Sequence, residues 1–354
     1  MRLLGNYIGK TIAGHILAVM LVLLSLYFFS TFVTEITEVG KGKYQIFDAL
    51  RFSIMLMPRQ VYELFPLVAL MGTMLGLGAL ANTSELTVMR AAGISVPQIM
   101  REILKIGAVM VVIAAILGEV IAPPLEKEAR IQRARALSEK ISVNAKSGLW
   151  AREGDTFVNI ERLLTHGRAS GIHLYNFDPD GKLLQSTSAK QGQYVDNRWQ
   201  LQRVEHTFFD EKRITVTFEK TAEWKSSVTP EVIDVVAIPP ENLSILDLQE
   251  YITYLHENEL EAQRYELSFW VRFVTPFATA GMILLAIPFV FGSLRAVGVG
   301  QRIVLGALIG IGFYLFNGIF GRIGVVYDLS PIFSAATPTV MVFVAWYFLM
   351  RRVQ

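Results

Sequence analysis

The sequence predicts an α+β membrane protein in which six transmembrane helices carry one antiparallel β domain, inserted between the third and fourth spans. Three observations predict it. Two groups of three apolar segments, 12–33, 61–81 and 103–122, then 270–291, 303–321 and 332–350, each approach the ~20 residues that cross a bilayer core. A single polar stretch, about 123–268, separates the groups. Inside that stretch the apolar residues alternate with polar ones at period two, the strand period.

Composition agrees: 52% of the 354 residues are hydrophobic and 18% charged, against roughly a quarter charged in soluble chains. A net charge of +2 gives no reason to expect a nucleic-acid partner, and the absence of cysteine removes disulfides and thiolate metal sites. The first apolar run is longer than a signal-peptide core and has no small-x-small cleavage site, so it reads as a retained anchor.

Lysine and arginine in the short connections set the orientation. Arg2, Lys10, Arg90, Arg101, Lys105, Arg295, Arg302, Arg351 and Arg352 fall on one side, which should be the cytoplasm. Lys41, Lys43, Arg51 and Arg59 lie opposite, beside Glu35, Glu38 and Asp48. The central domain therefore lies outside the cytoplasm.

Taken in order, span two carries Gly72, Gly76 and Gly78, a nearly bare face that permits close helix packing. Segment 82–93 is short and amphipathic. It starts with the capping types Asn82, Thr83 and Ser84, holds Glu85 in its first turn, places Leu86 and Met89 on one face, and can end at Gly93. It reads as a helix on the cytoplasmic surface. Pro123 and Pro124 are expected to end span three, since proline cannot continue a hydrogen-bonded helix.

A charged helical stretch, 126–140, follows. Strands are expected around Phe157–Glu161, Ile172–Phe177 and Ile214–Phe218, with a turn at 178–181, and they argue for a sandwich, jelly roll or barrel. Pro239 and Pro240 close the domain, and an amphipathic helix over 244–263 returns to the membrane.

Catalytic or nucleotide-binding chemistry has little support. Gly5–Thr11 resembles a phosphate loop but has three residues between its glycines instead of four, and no strand before it. The histidines at 15, 166, 173, 206 and 256 are scattered, without metal-ligand spacing. Glu63 and Glu119, near the outer ends of spans two and three, are either functional, or each reaches the interface or pairs with a nearby arginine; the second is the simpler reading. Asn317 in span five serves either a helix contact or a substrate path. Lys41, Lys43 and Arg59, with Arg130 and Arg133 at i,i+3 on one helix face, could ring a cavity mouth and hold phosphates, for which arginine forks are well shaped.

Several stretches then resemble a known family. Residues 7–11 (YIGKT), 84–93 (SELTVMRAAG), Gly118-Glu119, Ala122-Pro123, 148–150 (GLW), 157–161 and 265–272 are similar, in order and over nearly the whole chain, to the lipopolysaccharide-export permeases. They look more like the G subunit than its paralogue, the F subunit.

The resemblance implies a β-jellyroll in the periplasm and three regions: spans 1–3 over 1–125 with a coupling helix at 82–93, the periplasmic domain over 126–265, and spans 4–6 over 266–354. It implies a multi-pass protein of the bacterial inner membrane that extracts lipopolysaccharide or lipooligosaccharide from the outer leaflet. The glycolipid would then pass to a periplasmic bridge.

The partners it implies are an F-subunit permease, two copies of a cytoplasmic ABC ATPase, a single-span bridge protein of the LptC type, and membrane lipid. No cofactor is expected in this chain; ATP and Mg would sit in the ATPase. Substrate contacts would be Lys41, Lys43, Arg59, Leu64, Phe65, Arg130, Arg133, Phe316 and Asn317, in a cavity lined by spans one, two and five. Glu85, Leu86, Met89 and Arg90 would couple to the ATPase. One departure is that the outer end of span one carries Thr31, Thr37 and Glu38 where the family pattern is basic, so Lys41 and Lys43 would substitute.

The rival classes are a lipoprotein-releasing or peptide-exporting permease, whose large external domain usually follows span one, a secondary lipid transporter, and a membrane-bound enzyme.

Overall fold

The computed structural model describes residues 2–137, 149–164, 168–178, 181–195, 198–210, 213–224, 226, 240–258, 260–291 and 298–351. They form two compact units. One comprises Met1–Val39, Ala49–Ala129 and Gln263–Gln354, the other Gly40–Asp48 and Arg130–Ala262.

The helical unit is built from α1 (Arg2–Ile36), α2 (Ile46–Met55), α3 (Met57–Asn82), α4 (Glu85–Ala91) and α5 (Val96–Ile116). A π-helical turn (Leu117–Ile121) then leads into α6 (Ala122–Ala136). After the second unit come α8 (Gln263–Phe291), α9 (Val299–Val326) and α10 (Pro331–Met350). Among the described residues, six helices are long and apolar enough to cross a membrane, and all six expected spans lie within them. Their ends run past the apolar cores because helix continues into the polar flanks, as α1 does from Arg2 to Ile36.

The expected stop at Pro123 and Pro124 is overturned. The helix continues, because the turn before the prolines is wound i→i+5: Ala122 N–H bonds Leu117 O. A π turn re-phases the ladder, and the two missing N–H groups then fall at the start of α6, where donors are least needed.

α3 and α8 are largely buried, whereas α1 and α9 expose most of their apolar surface. Glycine explains how α3 takes neighbours on two sides. A Cβ on Gly72 would come within 2.5 Å of the Ile16 backbone, and one on Gly76 within 3.1 Å of Ile12, so α1 packs backbone to backbone. On the other side it is α9 that supplies the small residues, with Gly306 against Met71 and Gly310 against Leu67. Close backbone approach is how helices gain dispersion contact where no hydrophobic effect drives association. The core gathers Ile8, Ile12, Ile16, Phe65, Val68, Ile103 and Ile287 around α3.

The second unit holds a six-stranded antiparallel sheet in chain order: β1 (Leu149–Glu153), β2 (Thr156–Leu164), β3 (Arg168–Phe177), β4 (Leu183–Val195), β5 (Arg198–Phe209) and β6 (Ile214–Trp224). The expected alternation is present: Ile172 and Leu174 are buried while His173 and Tyr175 are partly open.

Two positive-φ residues, Gly171 (65°) and Arg203 (54°), interrupt β3 and β5. They let Ala169 and Ile172, and likewise Leu201 and Val204, all enter one core around the fully buried Trp199. α7 (Ile245–Glu257) starts on a reciprocal cap: Asp247 N–H donates to Ser244 Oγ (3.1 Å), and Ser244 N–H returns to Asp247 Oδ2 (3.2 Å). Burial, and secondarily the charge of Glu153, pushes the Tyr254 phenol on α7 up to about 12.

Candidate functional site: a buried arginine cluster and a surface helix

At the start of α3, Arg59 is 7% exposed. Its Nε donates to Glu63 Oε1 at 2.7 Å, one helical turn on. Its guanidinium carbon stands 6.0 Å from the Tyr62 ring centroid. Among the described residues, Arg59 Nη1 is buried without a hydrogen-bond partner.

The Tyr62 ring fills the space opposite Gly118, where a Cβ would overlap it, and the Tyr62 hydroxyl donates to Arg272 O at 3.3 Å. Arg272, on α8, donates through Nη1 to Glu119 Oε1, a carboxylate presented by the π turn. Arg59 and Arg272 lie within electrostatic reach of each other. Both outer glutamates are thus paired, as the simpler reading allowed. Two guanidinium groups and two carboxylates leave the cluster formally neutral, with one buried N–H donor still open. A buried open donor costs stability, and an anionic oxygen would satisfy it best.

Below Arg59, Leu64 is half-buried at the edge of the helical core, while Phe65 lies inside it at 4% exposed. Phe316 and Asn317 are half-buried on α9, with the Phe316 and Phe320 ring centroids 4.6 Å apart and the rings tilted by 49°. Contacts between Met71 and Gly306 and between Leu67 and Gly310 fix an antiparallel register. Continued outward, that register brings Phe316 and Asn317 to the depth of residues 59–61.

The other expected cations belong to the second unit, and four of them gather there. Lys43 N–H donates to Ala136 O at 2.6 Å, and Gly42, at φ 58°, lies against the Ala136 and Leu137 backbone. Lys41 and Lys43 therefore sit on the C-terminal end of the helix that carries Arg130 and Arg133. Helix carbonyl ends favour cations. Lys41, Lys43 and Arg130 are exposed and Arg133 half-buried.

On the opposite end of the helical unit, α4 is shorter than expected. Ser84 takes a left-handed conformation (φ 61°) and makes no side-chain cap; Thr83 Oγ1 instead donates to Glu85 Oε1 at 2.8 Å. Gly93, at φ 86°, ends the segment as expected. Leu86 and Met89 face inward, at 5% and 7% exposed. The outward residues are Thr87, Val88 and Arg90, of which Thr87 and Val88 were not singled out from sequence. Their signal was the helical period itself, since they occupy the face opposite Leu86 and Met89. A cavity of about 380 Å³ opens beside this helix, lined by Ala81, Thr87, Arg90 and Ala91 and by Val290 and Phe291 of α8.

Residues 5–11 are continuous helix within α1, so no phosphate loop exists there. Arg302, expected in a cytoplasmic loop, is instead 1% exposed within α9. His166 and Arg295 lie outside the described residues.

These features define a polytopic membrane protein with an inserted β domain, a buried arginine–glutamate cluster at one end of its helical unit and a short amphipathic helix at the other. The chain belongs to the lipopolysaccharide export system permease LptF/LptG family, which it matches over residues 6–352. It is 37% identical over 352 residues to the lipopolysaccharide export system permease protein LptG of Haemophilus influenzae, covering 99% of this chain and 98% of that one. To LptG of Escherichia coli K12 it is 35% identical over 353 residues, with the same coverage.

Proposed function

We propose that this chain is one permease half of a lipopolysaccharide exporter in the bacterial inner membrane. It extracts the glycolipid from the outer leaflet and passes it to a periplasmic bridge protein. A paralogous F-type permease forms the other half of the cavity, and two copies of a separate cytoplasmic ABC ATPase, holding ATP and Mg, supply the energy.

The observation that carries this reading is Arg59: a buried guanidinium with one open N–H donor at the outer end of α3. Beside it, α1 and α9 present wide apolar surfaces. A phosphorylated lipid needs both a cation for its headgroup and cover for its chains. Each wetted methylene costs ~0.8 kcal/mol, so exposing several long chains would cost tens of kcal/mol. A conformational switch commands only ~5 kcal/mol. Extraction is therefore feasible only if the chains stay covered throughout.

In this reading Lys41, Lys43, Arg59, Arg130 and Arg133 hold phosphate and inner-core groups, and Leu64, Phe316 and Asn317 line the chain-binding wall, which Phe65 backs from inside the core. α4 seats in the ATPase, with Glu85 and Arg90 at the contact and Leu86 and Met89 anchoring it from within.

The test places photo-reactive residues at Leu64 and Arg133 in the assembled complex, where both should capture lipopolysaccharide. Leu64→Asp should abolish export while leaving ATPase co-purification intact. Normal lipopolysaccharide transport by a stably expressed Leu64→Asp variant would refute the cavity assignment. Capture of a lipoprotein instead of glycolipid would favour the rival permease class.

A further inference from the structure

Arg59 meets water through a carboxylate of its own helix. The side chain of Arg59 is 8% exposed and that of Glu63 is 35% exposed, so Glu63 forms the open side of the pair. Its Oε1 accepts from Arg59 Nε at 2.7 Å, and its Oε2 accepts from Gln60 Nε2 at 3.3 Å. Arg59 Nη1 stays buried without a hydrogen-bond partner among the described residues.

The two partners are not held equally. The Tyr62 ring stands beside the Arg59 guanidinium, and it is itself locked against Gly118 and bonded to Arg272 O. Glu63 has two polar contacts, both to residues of its own helix, and an open path to water. The arginine is therefore the fixed member of the pair and the carboxylate the movable one.

Stability alone does not explain the arrangement. Arg59 lies in the first turn of α3, where the helix dipole favours anions over cations. An arginine placed four residues before a glutamate is also the weaker order for an i,i+4 pair. A pair with one half-exposed partner contributes little in any case. A buried cation at a helix start, with a donor still open, is instead suited to an incoming anion.

We propose that Glu63 is a resident competitor for the phosphate of the glycolipid. Its carboxylate occupies Arg59 between substrates, swings to water when a phosphate arrives, and returns as the lipid leaves. The phosphate gains the open Nη1 as well as the nitrogen that Glu63 vacates, two charge-assisted bonds where Glu63 makes one. By returning, Glu63 replaces the bond that departure breaks, so release strands no buried charge. The assignment rests on the reading of Arg59 as a lipopolysaccharide contact. It adds the means by which that contact lets go.

The test uses the assembled permease with its ATPase and bridge protein in phosphatidylcholine vesicles carrying graded amounts of lipopolysaccharide. Glu63→Gln should lower the half-saturating lipopolysaccharide content about tenfold, the effect of removing one like-charge contact of modest strength. The maximal release rate should fall, because the lipid leaves more slowly. Lipopolysaccharide stripped of its phosphates should show neither change. Glu63→Asp, which keeps the charge one methylene short of Arg59, should shift both quantities less and in the same direction.

Melting temperature supplies a readout that a purely structural pair would not give. Lipopolysaccharide should raise the melting temperature of Glu63→Gln more than that of the parent, since its phosphate supplies the missing partner. A structural pair would lower it equally with and without lipid and leave half-saturation unchanged. Unchanged half-saturation in an assembled Glu63→Gln complex overturns the competitor, and so does equal tightening toward the phosphate-stripped lipid. Photo-capture from Leu64 in the parent separates the two readings. No captured lipopolysaccharide sinks the site itself, whereas capture with unchanged half-saturation sinks the competitor alone.

Discussion

Replacing Glu119 by glutamine isolates the energetic weight of the buried arginine cluster. The side chain of Arg272 is 4% exposed and that of Glu119 18%, so the pair is largely withdrawn from water. Removing one partner of such a pair leaves an uncompensated charge, which costs ~3–5 kcal/mol. The partial exposure of Glu119 and the acceptor oxygen retained by glutamine favour the lower end, about 3 kcal/mol. Arg59, within electrostatic reach of Arg272, adds repulsion once the carboxylate charge is gone.

At roughly 2–4 °C per kcal/mol, the purified permease should melt about 6–12 °C lower. The double variant Glu119→Gln/Arg272→Met removes the stranded charge as well. It should melt close to the parent, since apolar replacement of a whole buried pair is often neutral. The assay is thermal unfolding in detergent or nanodiscs, followed by intrinsic fluorescence. A Glu119→Gln protein that melts with the parent, or a double variant that melts below the single one, would refute the reasoning.

The remaining expectations concern packing and ionisation. Gly72→Val drives a branched side chain into the Ile16 backbone, 2.5 Å from where its Cβ must stand; overpacking of this kind costs ~1–3 kcal/mol. The variant should melt lower and let a cysteine at Ile12 react faster with a membrane-permeant maleimide, whereas unchanged labelling would show that α1 accommodates the methyls. Trp199→Ala empties the centre of the β core, where Trp199 is 0% exposed, at ~3–5 kcal/mol; protease resistance of the β domain reports the loss, and an equally resistant variant would mean that the core sits elsewhere. Tyr254 stays neutral in the folded protein to about pH 12. Its raised value favours the fold below the ordinary tyrosine range and loses that contribution as pH climbs through 12. Tyr254→Phe should therefore remove a component titrating at about 12 from the ultraviolet absorbance of the folded protein, and its persistence would contradict the burial.

How far the sequence could be read depends on how local each cause is. Span positions, the strand pattern at Ile172–Leu174 and the end at Gly93 follow from period and residue type within a few neighbours. So did the bare face of α3, although the third of its glycines faces the Arg302 guanidinium and not a helix. The readings that changed share a tertiary cause. Pro123 and Pro124 look like a stop unless the turn before them is known to be π. Arg302 looks like a loop cation until Gly78 makes room for it. Arg203 carries no residue-type signal for a left-handed backbone in mid-strand, because neighbouring strands impose it. At the site, the pairing of Glu63 with Arg59 was legible from i,i+4 spacing, whereas that of Glu119 with Arg272, 153 residues apart, was not.

The π turn at Leu117–Ile121 also takes up one residue more than a regular α turn would. Successive residues of an α-helix advance by about 100° around the axis. Deleting one residue within the turn would restore regular α-helix and move Glu119 off the face that meets Arg272, whereas the helix on either side would keep its phase. The extra residue therefore acts as a local bulge that aims a single carboxylate, and its loss would disarm that one contact without disturbing the span around it.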